Sequence, residues 1–269
     1  PSQHHISCPY LYRSEFDIPE ALIAASVKEL EDKVAEIGAD NVAAFFCQPV
    51  VGSGGVVVPR KGWLKAIEQT CKRLGILLLL DEVITGFGRT GKMFACEHDD
   101  VVPDILVLGK ALGGGILPIA AVLAKSELDV AGEFAFGHYT HEKNPVTAKA
   151  ALTTIEIIEQ EGLVENAAEL GKYMLEQLNL LIAKHSTIGD VRGRGLLVGV
   201  ELVLNQEEKT PANDLDEDVL YRCLSKGLSF KLTMGNVMTL TPPLIIKKAQ
   251  IDLSLEIIDQ SLSEAEQAL

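Results

Sequence analysis

Apolar and polar positions along the chain fall into two regimes. Residues 19–37 (PEALIAASVKELEDKVAEI) bring Leu22, Val27, Leu30 and Val34 back at helical intervals behind a proline suited to a first turn, which predicts a helix. Short uninterrupted apolar runs follow: AAFFCQ at 43–48, ILLLLD at 76–81 and DILVLG at 104–109. Runs without alternation read as strands buried on both faces. The helical stretch from Lys61 to Leu74 between the first two gives the strand, helix, strand order of a parallel sheet. A further strand is expected at 119–124 (IAAVLA), then helices at 145–160 and 163–184, the second long enough to link two lobes. After Gly189 the texture changes to short strands around one helix: LLVGVELV at 196–203, a helix near 214–226, VMTLT at 237–241 and a terminal helix from about 247. The polar stretch NQEEKTPAND (205–214) reads as an exposed loop. The pattern predicts an α/β fold, with a mostly parallel sheet in a large domain over 1–186 and a small α+β domain over 187–269.

Composition narrows the partners. Hydrophobic residues make up 47% of the 269 positions, enough to offset ordering entropy, so a folded chain is expected. The balance of 24 Lys+Arg against 38 Asp+Glu gives a net charge of −14, with no basic block to attract nucleic acid or an anionic membrane surface. The longest apolar run, Ile76 to Leu80, falls far short of the ~20 residues of a membrane span. Five cysteines, widely spaced and without a CxxC pair, suggest neither a disulfide framework nor a thiolate metal site, and a cytoplasmic location is expected. The histidines other than His138 lack metal-ligand spacing, and His138 reads as structural, so no metal is expected. The first residue is Pro1, with no charged-then-apolar leader behind it, and the sequence reads as a piece of a longer chain.

Candidate chemistry sits at strand ends. Asp81 closes a wholly apolar run and Glu82 follows at once. Ligands of open α/β sheets bind at the carboxyl ends of strands, so Asp81 is either a site residue or the cap of the following turn. Lys110 stands just past another apolar run and before Gly113, Gly114 and Gly115, where it is either a nucleophile or an ordinary solvated lysine. An amine able to form an imine, together with an anion able to sit beside a ring nitrogen, suits one ligand in particular, pyridoxal phosphate.

The strings LLLLDEVITGFGRTGKMFACEHDDVVPDILVLGKALGGG (77–115), THEKNP (140–145), DVRGRGLLVGVEL (190–202) and TPPLIIKKAQID (241–252) resemble the class III (omega) aminotransferases among the fold-type I pyridoxal phosphate enzymes. The likeness runs through nearly the whole chain in the family's order. It implies the large domain of a pyridoxal phosphate transferase, with the N-terminal part of the family fold missing, followed by its small domain. It implies that Lys110 forms the Schiff base and shuttles the proton, that Asp81 pairs with the pyridine nitrogen, and that Val83 packs against the ring. Thr140 aligns with a threonine that reaches the cofactor phosphate of the neighbouring subunit, which implies a homodimer with shared sites; the alternative is a hydroxyl that serves its own turn. Gly193 and Gly195 resemble a tight turn opening a small-domain strand. The implied reaction moves an amino group from an amine or amino acid donor to a keto acid.

Three departures bear on that reaction. The family places a Glu where this chain has Gln48, and many members place an Arg near Thr239; together these commonly hold a substrate α-carboxylate. Loss of both is mutually consistent, because a buried Glu without its Arg is costly. Arg192, Arg194 or a lysine could take over the clamp; otherwise the balance moves toward a single-substrate lyase, decarboxylase or racemase, or toward an inactive subunit. Ile84 occupies a place often held by a Gln that bonds the cofactor's phenolic oxygen. The family is also longer at its N-terminus, where the phosphate cup and the ring-stacking aromatic residue normally lie.

Overall fold

The computed structural model describes residues 3–134, 137 and 139–268, so His138 lies outside the described residues. Helix α1 (Pro19–Ile37) starts on its proline and buries Leu22, Ser26, Leu30 and Val34, one residue per turn on a single face. Strand β1 (Ala44–Cys47) follows, then α2 (Trp63–Leu74), which buries Trp63, Leu64, Ile67 and Cys71 along its apolar stripe. Strands β2 (Leu77–Asp81), β3 (Ile105–Leu108) and β4 (Ala121–Ala124) complete a sheet of order β1-β2-β3-β4. The first two pairings are parallel, as expected, and Ala44 sits opposite Leu77 while Leu79 sits opposite Ile105. The last is antiparallel. The connection from β3 to β4 holds no α-helix, only a short turn at Lys110–Gly113, and the chain reverses instead of crossing over. Leu78 and Leu80 of β2 pack with Leu30, Val34, Leu64 and Ile67, which places the core of this sheet under α1 and α2. On its other side, Leu108 and Leu112 meet Ala151 and Ile158 of α3 (Pro145–Gln160).

Helix α4 (Leu163–Ile182) leads to a second sheet made of β5 (Ile188–Arg194), β6 (Leu197–Asn205), β8 (Lys231–Thr233) and β9 (Val237–Leu240), in the order β5-β6-β9-β8 and antiparallel throughout, with the short β7 (Thr210–Pro211) on β6. Helices α5 (Asn213–Ser225) and α6 (Lys248–Glu266) cover it together with α4. The apolar run of β6, interrupted only by Gly199 and Glu201 up to Val203, has a two-sided explanation. Val198, Val200 and Leu202 face the helices, while Leu197 packs on Val50 and Val56 from the loop after β1.

The turn at Gly193 and Gly195 differs from its expected form. Gly193 lies within β5, and only Gly195, at φ +56°, makes the reversal into β6. A Cβ on Gly195 would stand 2.4 Å from the Thr90 carbonyl carbon, and one on Gly171 of α4 would stand 2.2 Å from the carbonyl of Gly195. Three backbones therefore meet there without side chains between them. The next residue seals the junction, since the Leu196 N–H donates to the Arg89 carbonyl at 3.0 Å.

Candidate active site

Asp81 is the last residue of β2 and lies in register with Val107 of the neighbouring parallel strand, and Lys110 follows just past the end of that strand. Parallel pairing thus sends both side chains to the same edge of the sheet, the carboxyl ends of adjacent strands. Asp81 does cap its turn: Oδ1 accepts the Val83 N–H at 2.9 Å. Its other oxygen, Oδ2, accepts from Gln48 Nε2 at 3.1 Å, while Gln48 Oε1 accepts the Gly52 N–H at 3.0 Å. The loop after Asp81 carries Val83 against the backbone just ahead of Lys110, where a Cβ on Gly109 would lie 3.4 Å from Val83 Cγ1. Asp81, Val83 and Lys110 are therefore neighbours.

Lys110 adopts φ +43°, a left-handed conformation that costs a β-substituted residue about 1–2 kcal/mol. It is exposed, and its ammonium has no hydrogen-bond or ion-pair partner among the described residues. A strained, unpaired lysine at a strand end is held by its surroundings rather than by its own contacts.

Glu82 organises this edge from within. It is fully buried and accepts from the Thr85 hydroxyl at 2.8 Å, the Ala95 N–H at 2.7 Å and the Cys96 N–H at 2.8 Å. Its own N–H donates to the Val107 carbonyl at 2.9 Å. One carboxylate thus folds the segment from 82 to 96 back onto the sheet. The sequence signal was an acid directly after Asp81 in a stretch too apolar to solvate it.

Thr140 lies apart from this trio. It lines a cavity of about 600 Å³ with Pro118, Ile119, Ala120, Tyr139 and His141. The link is Ala120, whose Cβ would lie 3.8 Å from a Cβ on Gly109. The local turn is closed by Glu142, which accepts the Tyr139 N–H at 3.3 Å and donates its own N–H to the Tyr139 carbonyl at 3.0 Å, leaving Thr140 uninvolved.

Of the two arginines weighed as substitutes for a substrate clamp, Arg192 is engaged elsewhere. The Arg192 guanidinium pairs with Asp190 and Glu201, each at 2.8 Å, donates to the carbonyls of Gly55 and Val56, and stacks 4.5 Å over the Tyr10 ring. Glu201 is further held by the Tyr10 hydroxyl and by Arg13. Burial alone would raise the Glu201 carboxyl, but Tyr10, Arg192 and Arg13 outweigh it and hold the group below its ordinary value. Arg194 reaches the Pro59 carbonyl at 3.5 Å, and burial lowers its guanidinium from the usual value. Arg89, which burial pushes down to about 10, donates to the carbonyls of Leu196 and Pro242. Thr239 shares a 2.9 Å hydrogen bond with Thr233, so its hydroxyl closes the sheet. Ile84 packs over Gly52.

An acid and an unpaired lysine stand at the carboxyl ends of adjacent parallel strands of an α/β protein, where ligands of such sheets bind, below a loop anchored by a buried carboxylate. The sequence pattern described as Aminotransferase class-III matches residues 1–262, and the chain belongs to that family, whose cofactor is pyridoxal phosphate. It is 42% identical over 224 residues to the (R)-1-hydroxy-2-aminoethylphosphonate ammonia-lyase of Vibrio splendidus, covering 83% of this chain and 47% of that protein. It is 39% identical over 267 residues to the leucine/methionine racemase of Thermococcus litoralis, covering 98% of this chain and 60% of the relative. The crystal structure of an (S)-enantioselective omega-transaminase from Thermomicrobium roseum superposes with a TM-score of 0.93 at 35% identity, over 98% of this chain and 60% of that one. This chain therefore spans about half to three fifths of the length of these relatives.

The residues present fit the family's cofactor. Lys110 offers an amine without a competing partner among the described residues, Asp81 keeps both oxygens as acceptors, and Val83 is an apolar neighbour beside Gly109.

Proposed function

We propose that this chain carries the lysine and aspartate of a pyridoxal phosphate-dependent aminotransferase that moves an amino group from an amine or amino acid to a keto acid. The observation that carries the reading is the register of β2 and β3, which brings Asp81 and Lys110 to one edge of the sheet. When bound, the cofactor supplies an aldehyde and an electron-accepting ring that acidify the carbon bearing the substrate's amine. Lys110 Nζ would hold the cofactor covalently and then carry the proton, a role suited to an amine unburdened by an ion pair. Asp81 would keep a proton on the ring nitrogen, and Val83 would press on the ring. Thr140 would serve the phosphate of a second subunit, so the working unit would be a homodimer with shared sites. In this reading residues 1–186 belong to the cofactor-binding domain and 187–269 to the small one. The five free cysteines support a reducing, cytoplasmic setting.

Borohydride treatment of the chain incubated with pyridoxal phosphate, followed by peptide mapping, tests the assignment. Label on Lys110, and its loss in Lys110→Ala, is expected; label on Lys92 or Lys125 instead would defeat it.

A second reading, a single-substrate lyase, decarboxylase or racemase, draws support from Arg192 and Thr239. The one is consumed by Glu201 and Asp190, the other by Thr233. The relatives from Vibrio splendidus and Thermococcus litoralis, by name a lyase and a racemase, point the same way. The two readings separate by measuring product from candidate amines with and without pyruvate or 2-oxoglutarate. Transamination requires the keto acid, whereas turnover without it supports the second.

A further inference from the structure

Gln48 sits directly after β1, and its neighbours determine which way its amide faces. The Gly52 N–H, 3.0 Å away, needs an acceptor, so Oε1 lies there and the amino group must turn to Asp81 Oδ2. Asp81 Oδ1 in turn receives the Val83 N–H. Every contact the carboxylate makes is therefore a donated hydrogen bond, and the donor on Oδ2 is itself oriented by the backbone of the next loop.

The class III resemblance places a Glu at this position. In this structure, a Glu with one oxygen on the Gly52 N–H would bring its other oxygen against Asp81 Oδ2, at about the separation now occupied by a hydrogen bond. Two carboxylates that close cannot both ionise. No guanidinium stands at Thr239 to relieve the pair, since that hydroxyl is bonded to Thr233. Gln is nearly isosteric with Glu, and it supplies a donor where Glu supplies a second acceptor.

We propose that Gln48 is a positioning residue for Asp81, fixing the orientation of its carboxylate and keeping both oxygens as acceptors toward the ligand. What Asp81 faces rests on the pyridoxal phosphate reading; the pairing with Gln48 does not. In an enzyme of this class the consequence is a ring nitrogen that keeps its proton through a wider range of pH than it would beside a shared, partly protonated pair.

The test needs no turnover. In the cofactor-free 269-residue chain, the carboxyl carbon of Asp81, labelled with carbon-13 and identified by its loss in Asp81→Asn, is titrated by NMR in the wild type, in Gln48→Glu and in Gln48→Met. Gln48→Glu is expected to split the titration into two steps, one displaced upward by about one pH unit or more. Gln48→Met, which removes the donor without adding charge, is expected to move the midpoint upward by a smaller amount. Thermal midpoints close to wild type in both variants will show that the fold is retained and the shift is local. An Asp81 midpoint unchanged in both overturns the proposal. The same three proteins with pyridoxal phosphate added give a second readout, the pH midpoint of the visible band, expected to move with the Asp81 titration. Failure of the wild type to bind the cofactor would sink the functional reading, while the NMR titration would still decide the role of Gln48.

Discussion

Replacing Asp216 with leucine should make the protein more stable at pH 8.5 and change it far less at pH 4. Asp216 lies in the first turn of α5, fully buried, and neither carboxylate oxygen has a hydrogen-bond partner among the described residues. Burial raises its carboxyl from 3.8 to about 8, and the nearby charge of Glu201 pushes the same way. The Glu201 charge is matched by Arg192 and Arg13, so neither cation is free to serve Asp216. Between pH 3.8 and about 8 the native state holds a proton that the unfolded chain has released, so stability falls as pH rises through that window and levels off above it. About four units at about 1.36 kcal/mol each set a ceiling of about 5 kcal/mol on the total loss. Urea unfolding of wild type and Asp216→Leu at half-unit steps from pH 4 to 9 gives the difference directly, because the other titrating groups cancel. The variant should gain steadily relative to wild type between those limits, by several kcal/mol in all. A difference that stays flat across the range would refute the buried, protonated carboxyl.

Three further outcomes are expected. His185, almost fully buried, presents Nδ1 to Glu266 at 2.8 Å and Nε2 to Asp259 at 2.7 Å, so His185→Ala should cost about 1–3 kcal/mol in urea unfolding by taking one partner from each acid, while Asp259 keeps Lys184 and Glu266 keeps Thr187; a loss under about 0.5 kcal/mol would show the cluster is loosely solvated. Gly195→Ala, which drives a methyl into the Thr90 carbonyl at a left-handed position, should lower the thermal midpoint by more than 10 °C, since about 1 kcal/mol corresponds to roughly 2–4 °C in a chain of this size. Thr140→Ala should weaken pyridoxal phosphate retention by about tenfold or more, the equivalent of about 1.5–3 kcal/mol for a hydrogen bond to a charged group, and an unchanged affinity would remove the case for a shared site.

Where the chain's local chemistry and its tertiary surroundings agree, the elements could be read from the sequence. Helices α1 and α3 begin on Pro19 and Pro145, and their apolar spacing carries through to Ile37 and Gln160, so their limits match expectation. The first three strands are apolar runs, yet they are not buried on both faces as expected: Leu78 and Leu80 of β2 and Leu108 of β3 are buried, while Phe46 of β1 stays 58% exposed. Strand β5 was missed since IGDVRGR carries three charges and two glycines; its Asp190 and Arg192 are tolerated only because Glu201 and Tyr10 arrive from elsewhere in the chain. The reversal into β4 goes with a connection that has no crossover helix, and apolar content does not encode strand direction. Asp81 and Lys110 were visible as strand-end residues. The Gln48 contact, the two backbone donors on Glu82 and the bonds from Arg192 to Gly55 and Val56 depend on pairs well separated in sequence, with no periodicity to announce them.

The junction of Gly171, Gly195 and Thr90 is a rigid coupling between the two sheets. Side chains between two elements absorb an ångström of sliding by changing rotamer, but backbone pressed on backbone has no such slack. A displacement of the β5–β6 turn therefore carries the Arg89–Thr90 segment with it, through the Leu196 hydrogen bond as well as by contact. That segment belongs to the loop that Glu82 ties down beside Asp81. The other seam between the sheets, Val50 and Val56 against Leu197, is tied as well, because Arg192 of β5 donates to the Gly55 and Val56 carbonyls. The second sheet is therefore fastened to the first at two places, and the one at Gly195 leads through the Glu82 loop to the strand ends where Asp81 and Lys110 stand.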